Sequence, residues 1–190
     1  MNKSRRVGQK WDRIMGVRKN QKNMTASEWR AFIAAIDALH GTGAAAPAYR
    51  SFVNLHVAAM DMSNMGWNVH TMPMGSTMMT GKNFLAWHRR FTKLLEERLQ
   101  KVDPSVTVPY WDSITDRSLP TALSSPGLLS RWSVTRHWNP GELASQADLN
   151  SIKNFSGTFS MFQTALELGI HNGTHRAVDG NMATASSPAD

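Results

Sequence analysis

Two of the seven histidines in this 190-residue sequence stand where a helix would place core side chains. His56 lies within an apolar helical pattern formed by positions 52, 53, 57 and 60, and His88 lies on a similar stripe formed by positions 84, 91 and 95. A single histidine in such a place is commonly a hydrogen-bonded core residue. Two on separate helices favour a metal site, because facing helices build metal sites from inward side chains.

His171 and His175 are four residues apart, so on a helix they share one face and suit two positions on one metal ion. The alternative interpretation is a polar helix face. Asn172 stands where the HExxH motif of zinc proteases has its glutamate, which disfavours a metalloprotease. The sequence contains no cysteine, which excludes thiolate sites. A site made of imidazoles suits copper, zinc, nickel or iron.

The elements that position these histidines are predicted to be helices. Thr25 and Glu28 form a capping box, and the helix that follows ends at Gly41. Further helices are predicted from Pro47, from Asn83, over Thr158–Leu168 and from His171. Residues 66–82 are predicted as a loop, and prolines indicate irregular chain from 104 to 150, with a weak strand over 106–108. The predicted class is mainly α, with about four helices around a core and long irregular loops.

The basic charge of the chain lies at its beginning. The net charge is +7, and residues 1–22 carry eight basic side chains and one acidic one, which leaves the rest neutral. We therefore divide the chain into a basic arm (1–22) and a folded domain (23–190) that carries the histidines of the predicted metal site. A nucleic-acid binder usually carries its basic patch on a folded face, so a solvated arm is favoured over phosphate binding.

The sequence predicts neither a membrane partner nor an export signal. It has no run of eighteen apolar residues. The pair Arg5-Arg6 resembles the start of a twin-arginine signal, but no apolar stretch follows it. The default expectation is a cytoplasmic location, unless a partner carries the chain out of the cell.

Several motifs resemble, in order, those of the tyrosinase family of type 3 copper proteins, in its short bacterial form. They are Arg18-Lys19-Asn20, the FLAWHRR segment at 84–90, the VPYWD segment at 108–112, the HNGTH segment at 171–175, Gly180-Asn181-Met182 and the SPAD segment at 187–190. Together they span the chain from about residue 17 to its last residue.

This resemblance implies a four-helix bundle that holds two copper ions, each bound by three histidines, with O₂, peroxide or hydroxide bridging them. His56, His70 and His88 would bind the first copper, and His171 and His175 the second. His70 departs from the pattern of many relatives, in which this ligand comes nine residues before the position of His88; Met79 stands there. The implied reactions are ortho-hydroxylation of monophenols and oxidation of o-diphenols to o-quinones.

The resemblance also implies three residues that act on the substrate. Glu167 and Asn172 match a pair that holds a water able to take the phenol proton. The segment between Glu167 and His171 is shorter than in several relatives, and a surface carboxylate is the alternative for Glu167. Arg176 follows the second histidine and would attract a substrate carboxylate at the entrance; a solvated arginine is its alternative.

The sixth histidine of the family has no counterpart in this sequence. We expect the third ligand of the second copper from a missing C-terminal segment or from a companion chain that follows Asp190. The alternatives are a catechol oxidase without monophenolase activity, an inactive fragment that binds one copper or none, and a nucleic-acid binder that uses the arm. The sequence leaves open whether a copper-delivery protein assists, and whether the methionines at 72–79 bind Cu(I) or fill gaps.

Overall fold

The computed structural model describes residues 16–41, 47–61, 67–74 and 76–190. Residues 1–15 of the basic arm, and residues 62–66 and 75, lie outside the described residues. The helices are α1 (Ala26–His40), α2 (Pro47–Met60), α3 (Phe84–Val102), α4 (Pro126–Trp132), α5 (Gln146–Lys153), α6 (Phe159–Leu166) and α7 (Asn172–Val178); the strands are β1 (Met72–Met74) and β2 (Thr77–Met79). The mainly α architecture is confirmed. Within the described ranges, no helix has the length and apolar character needed to cross a membrane.

The first helix begins and ends where the sequence predicts. Thr25 is its N-cap: the Thr25 hydroxyl accepts from the backbone N–H of Glu28, and the Glu28 carboxylate accepts from the backbone N–H of Thr25. These reciprocal bonds satisfy two amides that the first turn cannot satisfy itself. Gly41 is the C-cap. The buried face of α1 is formed by Phe32, Ala35, Ile36 and Leu39.

Helix α1 packs across α2 and α3, and these three helices enclose the core. Phe52 of α2 stacks on Phe91 of α3 with ring centroids 4.0 Å apart, and Leu99 of α3 is fully buried. This stack lies one helical turn from His56 and from His88. The apolar residues predicted to line these helices therefore fix the two histidine-bearing helices against each other.

The prediction of irregular chain from 104 to 150 is wrong at two places, because α4 lies within this range and α5 begins within it. Pro126 occupies the first turn of α4, where a missing N–H costs nothing, and the Ser125 hydroxyl caps that helix by accepting from Leu128 N. Helix α5 begins with a second capping box, formed by Ser145 and Asp148.

Two smaller predictions also differ from the structure. Residues 106–108 form no strand; Val106 is instead buried in the core, and the nearby pairing is an isolated bridge between Asn20 and Tyr110. The segment predicted as a loop at 66–82 contains an antiparallel hairpin, in which Met72 pairs with Met79.

Helices α6 and α7 are joined by one π-helical turn, Glu167–His171, so the chain does not break before His171 as predicted. Thr158 caps the beginning of α6. Gln163, which is 1 % exposed, joins α6 to the beginning of α3: its Oε1 accepts from Leu85 N at 3.1 Å, and its Nε2 donates to Lys82 O at 2.8 Å. The π turn is therefore held directly beside the helix that carries His88.

The end of the basic arm contacts the domain. Arg18 Nε donates to Oε2 of Glu96, a buried carboxylate of α3, at 2.8 Å, and Lys22 lies 3.4 Å from the buried carboxylate of Asp116. These pairs attach residues 18–22 to the body. The domain boundary at residue 22 stays a prediction.

Candidate metal centre

Three histidines from three separate segments converge between α2 and α3. His56 comes from α2, His88 from α3, and His70 from the segment that precedes the hairpin. One ring nitrogen from each lies within 4.8 Å of the others. The His70 ring centroid is 5.2 Å from that of His56 and 4.8 Å from that of His88. The cluster has the size and composition of a site for one metal ion.

Backbone carbonyls fix the orientation of His56 and His88. His56 Nδ1 lies 2.8 Å from Ala185 O, and His88 Nδ1 lies 2.8 Å from Phe84 O. Because a carbonyl can only accept, each Nδ1 carries the proton and each Nε2 keeps its lone pair. Nε2 of His88 is buried without a hydrogen-bond partner. A buried polar atom without a partner is costly, and a metal ion would satisfy it.

A buried carboxylate orients His70. His70 Nδ1 lies 3.3 Å from Glu167 Oε1, and the Nε2 atom of His70 is buried without a partner. Glu167 is 2 % exposed. It also accepts from the backbone N–H of Thr71 at 2.8 Å and from the Thr71 hydroxyl at 2.6 Å. This is the carboxylate–histidine arrangement that turns the other ring nitrogen toward a metal.

His171 and His175 lie next to this cluster. Their ring centroids are 4.4 Å apart, and that of His171 is 5.7 Å from that of His88. His175 Nδ1 contacts the carbonyl of Met182, so its Nε2 is also left free. The five predicted ligands are thus brought together, three in one group and two beside it.

Burial favours the neutral form of four of these imidazoles, those of His56, His88, His171 and His175. Burial first, and then neighbouring imidazoles, lower the pKa of His171 to about 3. Burial is also the largest cause that lowers the pKa of His56 and of His88 to about 4, and it lowers the pKa of His175. Burial raises the pKa of Glu167, but hydrogen bonds from His70 and Thr71 outweigh it and leave that pKa below its usual value. Neutral imidazole is the form that binds a metal.

A cavity of about 320 Å³ opens onto both histidine groups. His56, His70, His171 and His175 line it, together with Asn172, Arg176 and the segment 182–187. Glu167 does not line it. The Arg176 side chain is paired with Glu142, with 2.8 Å between Nε and Oε2. Of the predicted substrate-contacting residues, Asn172 and Arg176 therefore face open space.

A second, more apolar cavity of about 470 Å³ also opens onto the centre. His56, His88, His171 and His175 line it, together with core side chains of α1, α2 and α3 and with residues 108–111. Pro188 and Asp190 also line it, and Arg136 holds the Asp190 carboxylate. His56, His171 and His175 thus border both cavities.

The two remaining histidines lie outside this centre. The His40 ring stacks on Tyr49 with centroids 4.0 Å apart and also lies parallel to Trp132. The exposed His137 contacts Asp179, with Nδ1 3.2 Å from Oδ2.

Comparisons with known proteins agree with this geometry. Residues 46–136 match the family described as the common central domain of tyrosinase. The tyrosinase of Streptomyces antibioticus is 32 % identical over 93 % of this chain and 77 % of its own length, and that of Streptomyces lincolnensis is 32 % identical over 93 % and 76 %. The chain belongs to the tyrosinase family. Grixazone synthase of Streptomyces griseus is 37 % identical over 54 % of this chain and 31 % of its own length.

Membership of the tyrosinase family confirms the resemblance and implies a copper-dependent oxidoreductase that oxidises phenols. The residues fit this metal. An all-imidazole donor set suits copper, and the unpartnered Nε2 atoms of His70 and His88 are the atoms that a metal would bind. The assignment of individual histidines as ligands stays a prediction.

Sequence reasoning missed the groups that orient the histidines. Thr71, which holds the Glu167 carboxylate, follows His70 directly but belongs to none of the motifs. The carbonyls of Phe84, Met182 and Ala185 have no sequence signal, because every residue carries one. For the carbonyls of Met182 and Ala185, the only indication in the sequence was that the Gly180–Met182 and Ser187–Asp190 motifs contain or flank these residues.

We expect the stability of the metal-free protein to fall as the pH is lowered from about 6.5 to 4. The pKa values of His56 and His88 are about 4 in the folded chain and 6.5 ordinarily, so the unfolded chain takes up protons at higher pH than the folded one. The contribution of these histidines to stability is therefore fully present above their pKa in the unfolded chain, and it is lost as the pH falls toward their pKa in the folded chain. A tenfold difference in proton affinity between the two states corresponds to about 1.4 kcal/mol, so urea denaturation should detect a loss of at least about 1 kcal/mol.

The matched variants are His171→Asn, which should reduce the loss, and His137→Asn on the exposed surface, which should leave it unchanged. Equal losses in all three proteins would contradict the assignment to the buried cluster.

Proposed function

We propose that the chain forms a dicopper centre that carries out the O₂-dependent ortho-hydroxylation of monophenols and the oxidation of o-diphenols to o-quinones. The observation that carries this proposal is the convergence of five imidazoles, four of which line one cavity, with the Nε2 atoms of His70 and His88 buried without a partner. Bound copper would supply the activation of O₂ and the two-electron oxidation. His56, His70 and His88 would hold the first ion, and His171 and His175 the second.

The third ligand of the second copper is proposed to come from outside this sequence, on a C-terminal segment or a companion chain. The His40 ring stacks on Tyr49 and His137 lies on the surface, and neither lines the cavities at the centre. The apolar cavity beside His171 and His175 supports the proposal, because it offers a space into which an apolar segment bearing a histidine would fit.

The substrate phenol must lose its proton to bind copper, and its ordinary pKa is near 10. Asn172 lines the cavity next to His171, and we propose that its amide helps to hold the water that accepts this proton. Glu167 is buried and already accepts three hydrogen bonds. These contacts support a positioning role toward His70 in place of the base role implied by the resemblance.

The function is tested by copper content and quinone formation in the natively purified protein. We expect two copper ions per chain, o-quinone formed from catechol, and hydroxylation of p-cresol with consumption of O₂. His88→Asn should reduce both activities at least about 100-fold because it removes a ligand, whereas His137→Asn should keep them.

Two other results would replace this proposal. Oxidation of catechol without hydroxylation of p-cresol would indicate a catechol oxidase. One copper or none, with no oxidation of either substrate, would indicate an inactive fragment.

Glu167→Gln separates the positioning role from the base role. If Glu167 orients His70, the variant should bind copper about 10–100-fold more weakly, the range found when a group that supports a ligand is removed, and both activities should fall together. Competition with a copper chelator measures the affinity. A loss confined to monophenol hydroxylation, at unchanged affinity, would instead identify Glu167 as the holder of the base.

The matched control for this variant is Glu97→Gln on the exposed face of α3, where the carboxylate pairs with Arg90. It should change neither the copper affinity nor the ratio of the two activities.

Arg176 is proposed to bind substrate carboxylates at the cavity. The carboxylate of Glu142 partly neutralises its positive charge there. The Arg176–Glu142 pair is exposed, so its electrostatic effect is screened by solvent and is small. Glu142→Gln should therefore raise kcat/KM for 3-(4-hydroxyphenyl)propionate relative to p-cresol by about two- to five-fold, and Arg176→Gln should lower that ratio. Steady-state kinetics at low salt measure it.

Arg131 is exposed elsewhere on the surface, and Arg131→Gln serves as the control that leaves the substrate ratio unchanged. An unchanged ratio in both the Glu142 and the Arg176 variants would refute a role for this pair in substrate choice.

A further inference from the structure

Methionine is concentrated in the segment that carries His70. Seven of the twelve methionines in the sequence lie between positions 60 and 79: Met60, Met62, Met65, Met72, Met74, Met78 and Met79. The β1–β2 hairpin contains four of them. Met78 is 55 % exposed, so filling a gap in the core does not explain its presence. Core packing therefore does not account for every methionine of this concentration.

The register of the hairpin brings two thioethers together. Met72 of β1 pairs directly with Met79 of β2. Residues directly opposite in an antiparallel pair have Cβ atoms about 4.5–5.5 Å apart. Both residues are only partly buried. Two flexible thioether side chains with this spacing can reach one ion that arrives from solvent.

The hairpin is attached to the proposed copper centre at one end. His70 is two residues before Met72, a separation that the backbone spans in at most about 7 Å. Between them, Thr71 is fixed by two hydrogen bonds to Glu167, and its hydroxyl accepts from Gly81 N at 3.0 Å. The Met72–Met79 pair is therefore held at a constant place beside His70.

We propose that Met72 and Met79 form a Cu(I)-binding site on the hairpin, distinct from the histidine centre, that receives copper before His70 does. Thioethers are soft ligands that select Cu(I), and the chain has no thiolate that would compete. Transfer to His70 is a ligand exchange, in which a bond from copper to His70 Nε2 replaces a bond to a methionine sulfur and no electron moves. The transfer of Cu(I) to His70 rests on the proposed function, whereas the binding of Cu(I) at the hairpin does not.

The site is tested with Ag(I), a redox-inert probe for Cu(I), added to the metal-free protein labelled with ¹³C in its methionine methyl groups. The NMR signals of Met72 and Met79 should shift with the first equivalent. Met161 is the internal control, because it is 58 % exposed and belongs to α6 rather than to the hairpin. Equal responses of Met161 and the two hairpin methionines would overturn the proposal.

A variant pair tests the same site by affinity and rate. Met72→Leu combined with Met79→Leu should weaken Cu(I) binding in competition with a chromogenic chelator and slow the transfer of Cu(I) to the histidines at least about 10-fold. Met161→Leu should behave as the unchanged protein. Unchanged binding and transfer in the double variant would refute the proposal. Because neither measurement uses phenol oxidation, failure of the proposed function and failure of this site give different results.

Discussion

The hydrogen bond at Nδ1 determines which nitrogen of each imidazole remains for a metal. In His56, His88 and His175 the partner is a backbone carbonyl, and in His70 it is the Glu167 carboxylate. Each bond fixes both the tautomer and the ring direction. The bonds at His56 and His70 link segments far apart in the sequence, so the cluster exists only when these segments have assembled.

Assembly without metal has an energetic cost. The imidazoles are buried close together, the pKa values of His56, His88 and His171 are lowered, and the Nε2 atoms of His70 and His88 have no partner. The core beside them must compensate for this cost, and the Phe52–Phe91 stack is the part of it that lies next to the site. Metal binding removes the cost, so it stabilises the fold as well as completing the centre.

Local sequence signals predicted much of this structure. The capping box at Thr25 and the apolar stripe of α3 each depend on residues within a few positions of one another. The prolines led to the wrong prediction of irregular chain at residues 126–132, because Pro126 lies at the beginning of a helix. The placement of Glu167 could not be predicted, because its contacts with His70 and Thr71 cross about a hundred positions and depend on how α6 lies beside α3.

The π turn at Glu167–His171 contains one residue more than an α-helical turn needs. That residue shifts the helical phase by about 100° between α6 and α7. Gln163, which precedes the π turn, faces the beginning of α3, whereas His171 at the end of the turn and His175 after it face the cavity. Removing one residue here would leave a regular helix. In that helix Gln163 could not face α3 while His171 and His175 face the cavity. One residue beyond the α-helical repeat therefore couples a structural helix face to the face that carries the two histidines.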